Sequence, residues 1–107
     1  MAGMNNVSKR IFSDFVKSRG LMRDEGARQV MFDGKEKLSF SVSTRETVLE
    51  CRQTYEDCDG FVTYHVPTNT FYKIMVPNIP EYCYSRTMKN GTRAYSVKVD
   101  IGAGIKI

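Results

Sequence analysis

Residues 61–76 read FVTYHVPTNTFYKIMV, and the reading of that stretch decides the fold. Phe61, Thr63 and His65 fall on one side of a two-residue period, and Val62, Tyr64 and Val66 fall on the other. Aromatic and β-branched residues suit a pleated, half-buried surface, so residues 61–66 and 71–76 are both expected to be strands. Between them Pro67, Thr68, Asn69 and Thr70 are turn formers, which makes the stretch a hairpin. Pro77 and Pro80 lack a backbone donor and restrict the residues before them, so the second strand is expected to stop there in an extended connection.

Working outward toward the N-terminus, the dipeptide Asp33-Gly34 separates residues 28–32 from residues 37–43, where Leu38, Phe40 and Val42 alternate with serines. Asp-Gly supplies the positive φ of a tight turn, so a further hairpin is expected, with Lys35, Glu36 and Lys37 as an alternative, longer loop. Residues 44–53 fit a short helix through Val48, Leu49 and Arg52 or a strand through Thr47 and Cys51, and both stay open. Residues 21–27 read as a connection. Before them, Val7, Ile11, Phe12, Phe15 and Val16 recur at helical spacing, predicting a helix over 7–19 with Asn6 as its cap and Gly20 at its end. Its other face carries Ser8, Lys9, Arg10, Ser13, Lys17 and Arg19, a basic surface turned outward.

Toward the C-terminus, Asn90-Gly91 predicts a third hairpin, joining a segment near 82–88 to a final strand over 92–101. Arg93, Tyr95, Val97, Val99 and Ile101 alternate there with Ala94, Ser96, Lys98 and Asp100. Residues 102–107 are expected to fray or to dock as an edge segment. The whole is an α+β pattern: an N-terminal helix packed on an antiparallel or mixed sheet of about five to six strands, with one domain over residues 1–107.

Composition narrows the class. Of 107 residues, 41% are hydrophobic and 26% are charged, which separates the chain from disordered sequences of low hydrophobicity. No apolar run reaches the roughly 20 residues of a membrane span, and the opening MAGMNN lacks the apolar core of a secretory signal, so a cytoplasmic protein without a membrane partner is expected. The 3 cysteines, Cys51, Cys58 and Cys83, lie at no metal-ligand spacing and are expected to be reduced thiols.

The net charge of +4 is unevenly spread. Lys9, Arg10, Lys17, Arg19 and Arg23 face only Asp14 in residues 1–23, and Arg86, Lys89, Arg93 and Lys98 have no acid beside them in residues 86–98. Between these ends, Glu46, Glu50, Glu56, Asp57 and Asp59 outnumber Arg45 and Arg52. Two basic ends around an acidic centre suit a polyanion on one side of the molecule.

No complete catalytic motif is present, and no catalytic residue, metal or cofactor is assigned. His65 is the only histidine and has no spaced partner for acid–base or metal chemistry, so a structural role is expected. Glu56, Asp57 and Asp59 could offer oxygen ligands to a cation, but the calcium-loop pattern is incomplete and a solvated turn is the expected reading. The interleaving of Tyr82, Tyr84, Arg86, Lys89, Arg93 and Tyr95 is more suggestive, because cations neutralise phosphates while aromatic faces stack on exposed bases. The preferred expectation is a small basic, non-enzymatic nucleic-acid-binding accessory protein. Lys9, Arg10, Lys17, Arg19, Arg86, Lys89, Arg93 and Lys98 would contact phosphates, and Tyr84 and Tyr95 would stack. Tyrosine and arginine also enrich protein interfaces, so the alternative is an inhibitor or adaptor that binds a protein target through an aromatic patch or a sheet edge. Homo-oligomerisation stays open.

From Tyr55 to Ile79 the sequence YEDCDGFVTYHVPTNTFYKIMVPNI resembles the later sheet segments of small PD-(D/E)XK-type endonucleases of phages and mobile elements. Asp59, Phe61, Tyr64, Pro67, Tyr72 and Pro77 carry the likeness. The resemblance implies a sheet-based fold and a link to nucleic acid. Such nucleases need an acid and a later acid-x-lysine or Gln-x-lysine on neighbouring strands to hold magnesium and activate water. Gln29-Val30-Met31 has methionine where the lysine should stand, and Asp33-Gly34-Lys35 reads as a turn, so the resemblance implies a non-catalytic relative. A divalent-metal nuclease depending on Asp33 or Asp59 is the third reading.

Overall fold

A computed structural model of the chain describes residues 2–25, 29–53, 58–79 and 95–107. It begins with helix α1 (Ala2–Arg19). Strands β1 (Met22–Arg23), β2 (Val30–Asp33), β3 (Glu36–Ser43), β4 (Val48–Gln53), β5 (Gly60–His65), β6 (Thr70–Met75), β7 (Tyr95–Asp100) and β8 (Ile105–Lys106) follow. Six of them form one mixed sheet in the order β1-β2-β3-β5-β6-β8, and β4 and β7 form a separate antiparallel ribbon. The expected α+β class holds, with the mixed rather than the wholly antiparallel sheet: β3 and β5 run parallel, from Leu38↔Gly60 to Ser43↔His65, and the other pairs are antiparallel.

The helix is longer than its periodicity predicts. It starts at Ala2, so Asn6 lies inside it and is not its cap. Val7 is 51% exposed and outside the buried stripe, which consists of Phe12, Phe15 and Val16 with Ile11 at its margin. One turn before Phe12, that stripe reaches Ser8, whose hydroxyl accepts a hydrogen bond from Gln29 Nε2 at 2.7 Å. The end matches expectation. Gly20 takes φ 65°, its N–H donates to Lys17 O at 3.3 Å, and Leu21 N–H donates to Val16 O at 3.0 Å. That pair of bonds is the Schellman closure, and Leu21 packs back on the helix's apolar side.

Asp33-Gly34 also turns the chain as expected. Asp33 pairs with Glu36, so Gly34 (φ 61°) and Lys35 form a two-residue turn, and the longer loop does not occur. The quoted stretch forms β5 and β6, joined by a 3₁₀ turn over Val66–Thr68 and by Asn69 at φ 50°. Tyr64 Oη donates to the Asn69 side-chain carbonyl across that turn. The ambiguous segment 44–53 contains strand β4, not a helix. The first arm and the turn of the third expected hairpin, with Asn90-Gly91, lie outside the described residues. Its last strand is β7, and β4 lies beside it from Val48↔Asp100 to Gln53↔Tyr95. Residues 105–106 dock as the edge strand β8.

The large sheet therefore has an aromatic side and an aliphatic side. Under α1, Phe12, Phe15, Phe40 and Phe71 stack with centroids 4.6–6.2 Å apart, together with Met31, Leu38 and Val62. Under the ribbon, Leu49, Val97 and Val99 pack on Phe61, Tyr72, Ile74 and Ile79. Each fully buried large side chain of these two clusters contributes about 1.5–3 kcal/mol.

Serines explain why the ribbon is a separate sheet. The ribbon-facing side of β3 presents Ser41 and Ser43 toward Glu50, whose backbone meets β3 through hydroxyls and not through a strand ladder. Ser43 Oγ accepts from Glu50 N at 2.8 Å and lies 3.1 Å from Glu50 O, while Ser41 Oγ donates to Glu50 O at 2.9 Å. Thr63 Oγ1 completes the seam, 2.7 Å from Ser43 Oγ. The polar side of β3 is thus buried and still satisfied.

Candidate functional site

Helical geometry carries Lys9, Arg10 and Lys17 onto one solvent face of α1. Lys9 and Lys17 stand about 12 Å apart along the axis, at 1.5 Å per residue. Arg10 lies beside them, and all three are exposed. Asp14 shares the face, four residues after Arg10, yet no ion pair joins it to these cations among the described residues. Lys17 and Arg19 occupy the last turn, where a positive charge also favours the helix dipole.

Arg19 belongs to a different surface. Its guanidinium lies over the Phe15 ring, 5.0 Å from the centroid, on the side of α1 that meets the sheet. Arg19 is exposed as expected, but it falls one turn after Phe15 and follows its direction, so it stands apart from the face of Lys9, Arg10 and Lys17. Arg23 on β1 takes a similar position over Phe12, at 5.1 Å.

Lys98 is exposed on the outer side of the ribbon, between the buried Val97 and Val99 and opposite Glu50 in register. The sheet and both of its packed faces therefore separate Lys98 from Lys9, Arg10 and Lys17. Tyr95 opens β7 beside Gln53. Tyr84, Arg86, Lys89 and Arg93 lie outside the described residues, as do Tyr82, Cys83, Glu56 and Asp57. Of the basic set read from the sequence, the structure brings together Lys9, Arg10 and Lys17.

His65 and Asp59 have structural partners. His65 is fully buried, with Nε2 2.6 Å from Arg45 O and Nδ1 2.7 Å from Thr68 Oγ1. A carbonyl can only accept, so Nε2 donates to Arg45 O, and Nδ1 and the Thr68 hydroxyl share the second hydrogen bond. The ring also stands edge-on to Tyr72, and it ties the segment after β3 to the turn after β5. Asp59 Oδ2 accepts from Lys37 N at 2.8 Å, while Asp59 N donates to Lys37 O at 2.7 Å and Asp59 O accepts from Val76 N at 2.9 Å. Those bonds set the parallel register of β3 and β5. Cys58 is buried. No group of three or more His, Cys, Asp or Glu side chains could hold a metal among the described residues.

One feature was missed in the sequence. A cleft of about 180 Å³ opens under the last turn of α1, walled by Phe15, Arg19, Asp33, Leu38, Val62 and Lys73. Leu38 and Val62 are buried, and Asp33 and Arg19 are exposed at the mouth. Lys73 Nζ is held by Glu36 Oε1 at 2.6 Å. The signal available in the sequence was Lys73 itself, a cation inside a strand whose neighbours Phe71, Tyr72, Ile74 and Met75 are all apolar.

No helix among the described residues is long and apolar enough to cross a membrane. No family model matches the chain, and no curated protein or solved structure matches it.

Proposed function

We propose that the chain is a small nucleic-acid-binding accessory protein that acts without catalysis. The observation that carries this reading is the outer face of α1, where Lys9, Arg10 and Lys17 are exposed together and joined to no carboxylate among the described residues. Cations in that state release condensed counterions when they meet phosphates, which gives affinity without sequence preference. The likeness of residues 55–79 to sheet segments of endonucleases supports the same class of partner. Tyr84, Arg86, Lys89 and Arg93 are proposed to extend the phosphate and stacking contacts.

A salt titration of binding to single-stranded and duplex oligonucleotides tests it. The expected result is an affinity that falls steeply with salt, by about 0.7 log units per log unit of salt for each phosphate contact on a single strand. Lys9→Glu with Lys17→Glu reduces that slope by about 1 unit or more. Absence of binding at low salt, or a flat salt response, overturns the reading.

A second reading, a protein-binding inhibitor or adaptor, is favoured by the sheet edges. Both edge strands, β1 and β8, are 2 residues long, and they leave Met22 72% and Ile105 62% exposed. Edges this short are blunted against an added strand, so the partner surface in this reading is the exposed apolar side chains beside them. A stoichiometric protein partner that persists after nuclease treatment would favour this reading over the first.

A further inference from the structure

We propose that the basic face of α1 continues through Arg23 on β1 and lies against the phosphate backbone of duplex DNA, an inference that rests on the reading of nucleic acid as the partner. Arg23 is exposed, and its guanidinium lies over the Phe12 ring at 5.1 Å. In register it stands opposite Met31, which packs with Phe12 under α1. Arg23 is therefore on the helix side of the sheet.

The rings of the core fix where that puts it around the helix. Phe15 meets Phe71 on β6 at 4.6 Å, while Phe12 meets Phe40 on β3 at 5.4 Å. Strand β1 lies beyond β3 on the side away from β6, so turning around α1 from Phe15 to Phe12 is a turn toward β1. Continued in the same sense, at about 100° per residue, it passes Val16, then Lys9, then Lys17 and Arg10. Arg23 thus adjoins the Lys9 flank, and the four cations make one band from the sheet edge across the outside of the helix. The acids border this band and do not interrupt it. Asp24 is held by Lys37 at 3.7 Å, Glu25 lies in the turn past β1, and Asp14 falls beyond Arg10 at the far margin.

The band carries no exposed aromatic ring, since Phe12 and Phe15 are buried beneath it. Stacking on such rings is the sequence-tolerant grip on unpaired bases, so this surface meets phosphates alone. Cations held by a helix and by a ring suit phosphates held at fixed spacing, which a duplex supplies at one charge per about 1.7 Å of axis. Lys9 and Lys17, about 12 Å apart along α1, match the B-form major groove, which is about 12 Å wide. Each then meets a different strand where the helix crosses the mouth of the groove. A-form RNA narrows that groove.

The test is fluorescence anisotropy of the full chain with a DNA duplex, an RNA duplex of the same sequence and one DNA strand alone, each across a salt series. The DNA duplex is expected to bind most tightly. Four contacts give it a salt slope of about 3.6, against about 2.8 on the single strand, which is about sixfold in affinity at about 0.1 M salt. Arg23→Gln is expected to lower the duplex slope by about 0.9, and Arg23→Lys, which keeps the charge without the planar stack, to preserve it. A single strand or an RNA duplex bound as tightly as the DNA duplex overturns the inference and leaves the proposed function standing. The same holds for a slope unmoved by Arg23→Gln, or one lowered equally by Arg23→Lys, which marks lost packing on Phe12 and not a lost contact. A chain that binds none of the three removes both.

Discussion

The two faces of the six-stranded sheet are buried by different means. Beneath the ribbon, aliphatic side chains of β4 and β7 fill the space, and a seam of hydroxyls satisfies the backbone of Glu50. That side is closed. Beneath α1, four phenylalanines pack against one another, and the helix ends before it covers the sheet, leaving arginines over aromatic rings and a cleft at its last turn. The contrast separates a face of the sheet that is packed throughout from one that the helix covers only in part.

Truncation on the closed side gives the largest effect. Phe61→Ala, at a site 1% exposed, should cost about 3–5 kcal/mol in urea unfolding, while oligonucleotide affinity is kept under conditions where the variant remains folded. An affinity lost in step with the stability would break the separation. Ser43→Ala should cost about 1–3 kcal/mol, because the half-buried Glu50 N–H loses the hydroxyl that accepts its hydrogen bond. A neutral result would show that the seam is ornamental. On the open side, Lys73→Met should cost about 1 kcal/mol or less, since Glu36 is 43% exposed and rehydrates once its partner has gone. The smallest effect on unfolding belongs to Lys9→Glu with Lys17→Glu, within about 0.5 kcal/mol, although this pair is expected to weaken oligonucleotide binding most.

The secondary structure was largely legible in the sequence because its signals are local. Gly20, Asp33-Gly34 and Pro67 to Asn69 act through their own backbone preferences, and each turned or stopped the chain where expected. What local signals do not carry is which strands meet. The parallel pairing of β3 with β5 depends on Asp59 reaching Lys37, a contact between residues distant in sequence. Segment 44–53 was ambiguous because its strand is decided by the serines of β3, which read alone as ordinary polar alternation. The helix phase was right for Phe12, Phe15 and Val16 and wrong for Val7, since periodicity does not say where the sheet beneath a helix ends.

Site legibility follows the same division. Lys9, Arg10 and Lys17 form a face through helix geometry alone, so the sequence was enough to group them. Lys98 was grouped with them by charge, and only the layering shows that it faces the opposite way. Asp33 was read as a turn former and Lys73 as a strand residue. Both readings were correct locally, and neither could reveal that the two residues wall one cleft.

The ribbon has a kinetic corollary. It joins Val48 to Asp100, so its strands meet only across a long stretch of chain that includes β5 and β6, whereas the β2–β3 and β5–β6 hairpins close short turns. The ribbon is therefore expected to dock late, after the barrier to folding has been crossed. Substitutions along β7, such as Val97→Ala, should then hasten unfolding while leaving the refolding rate nearly unchanged.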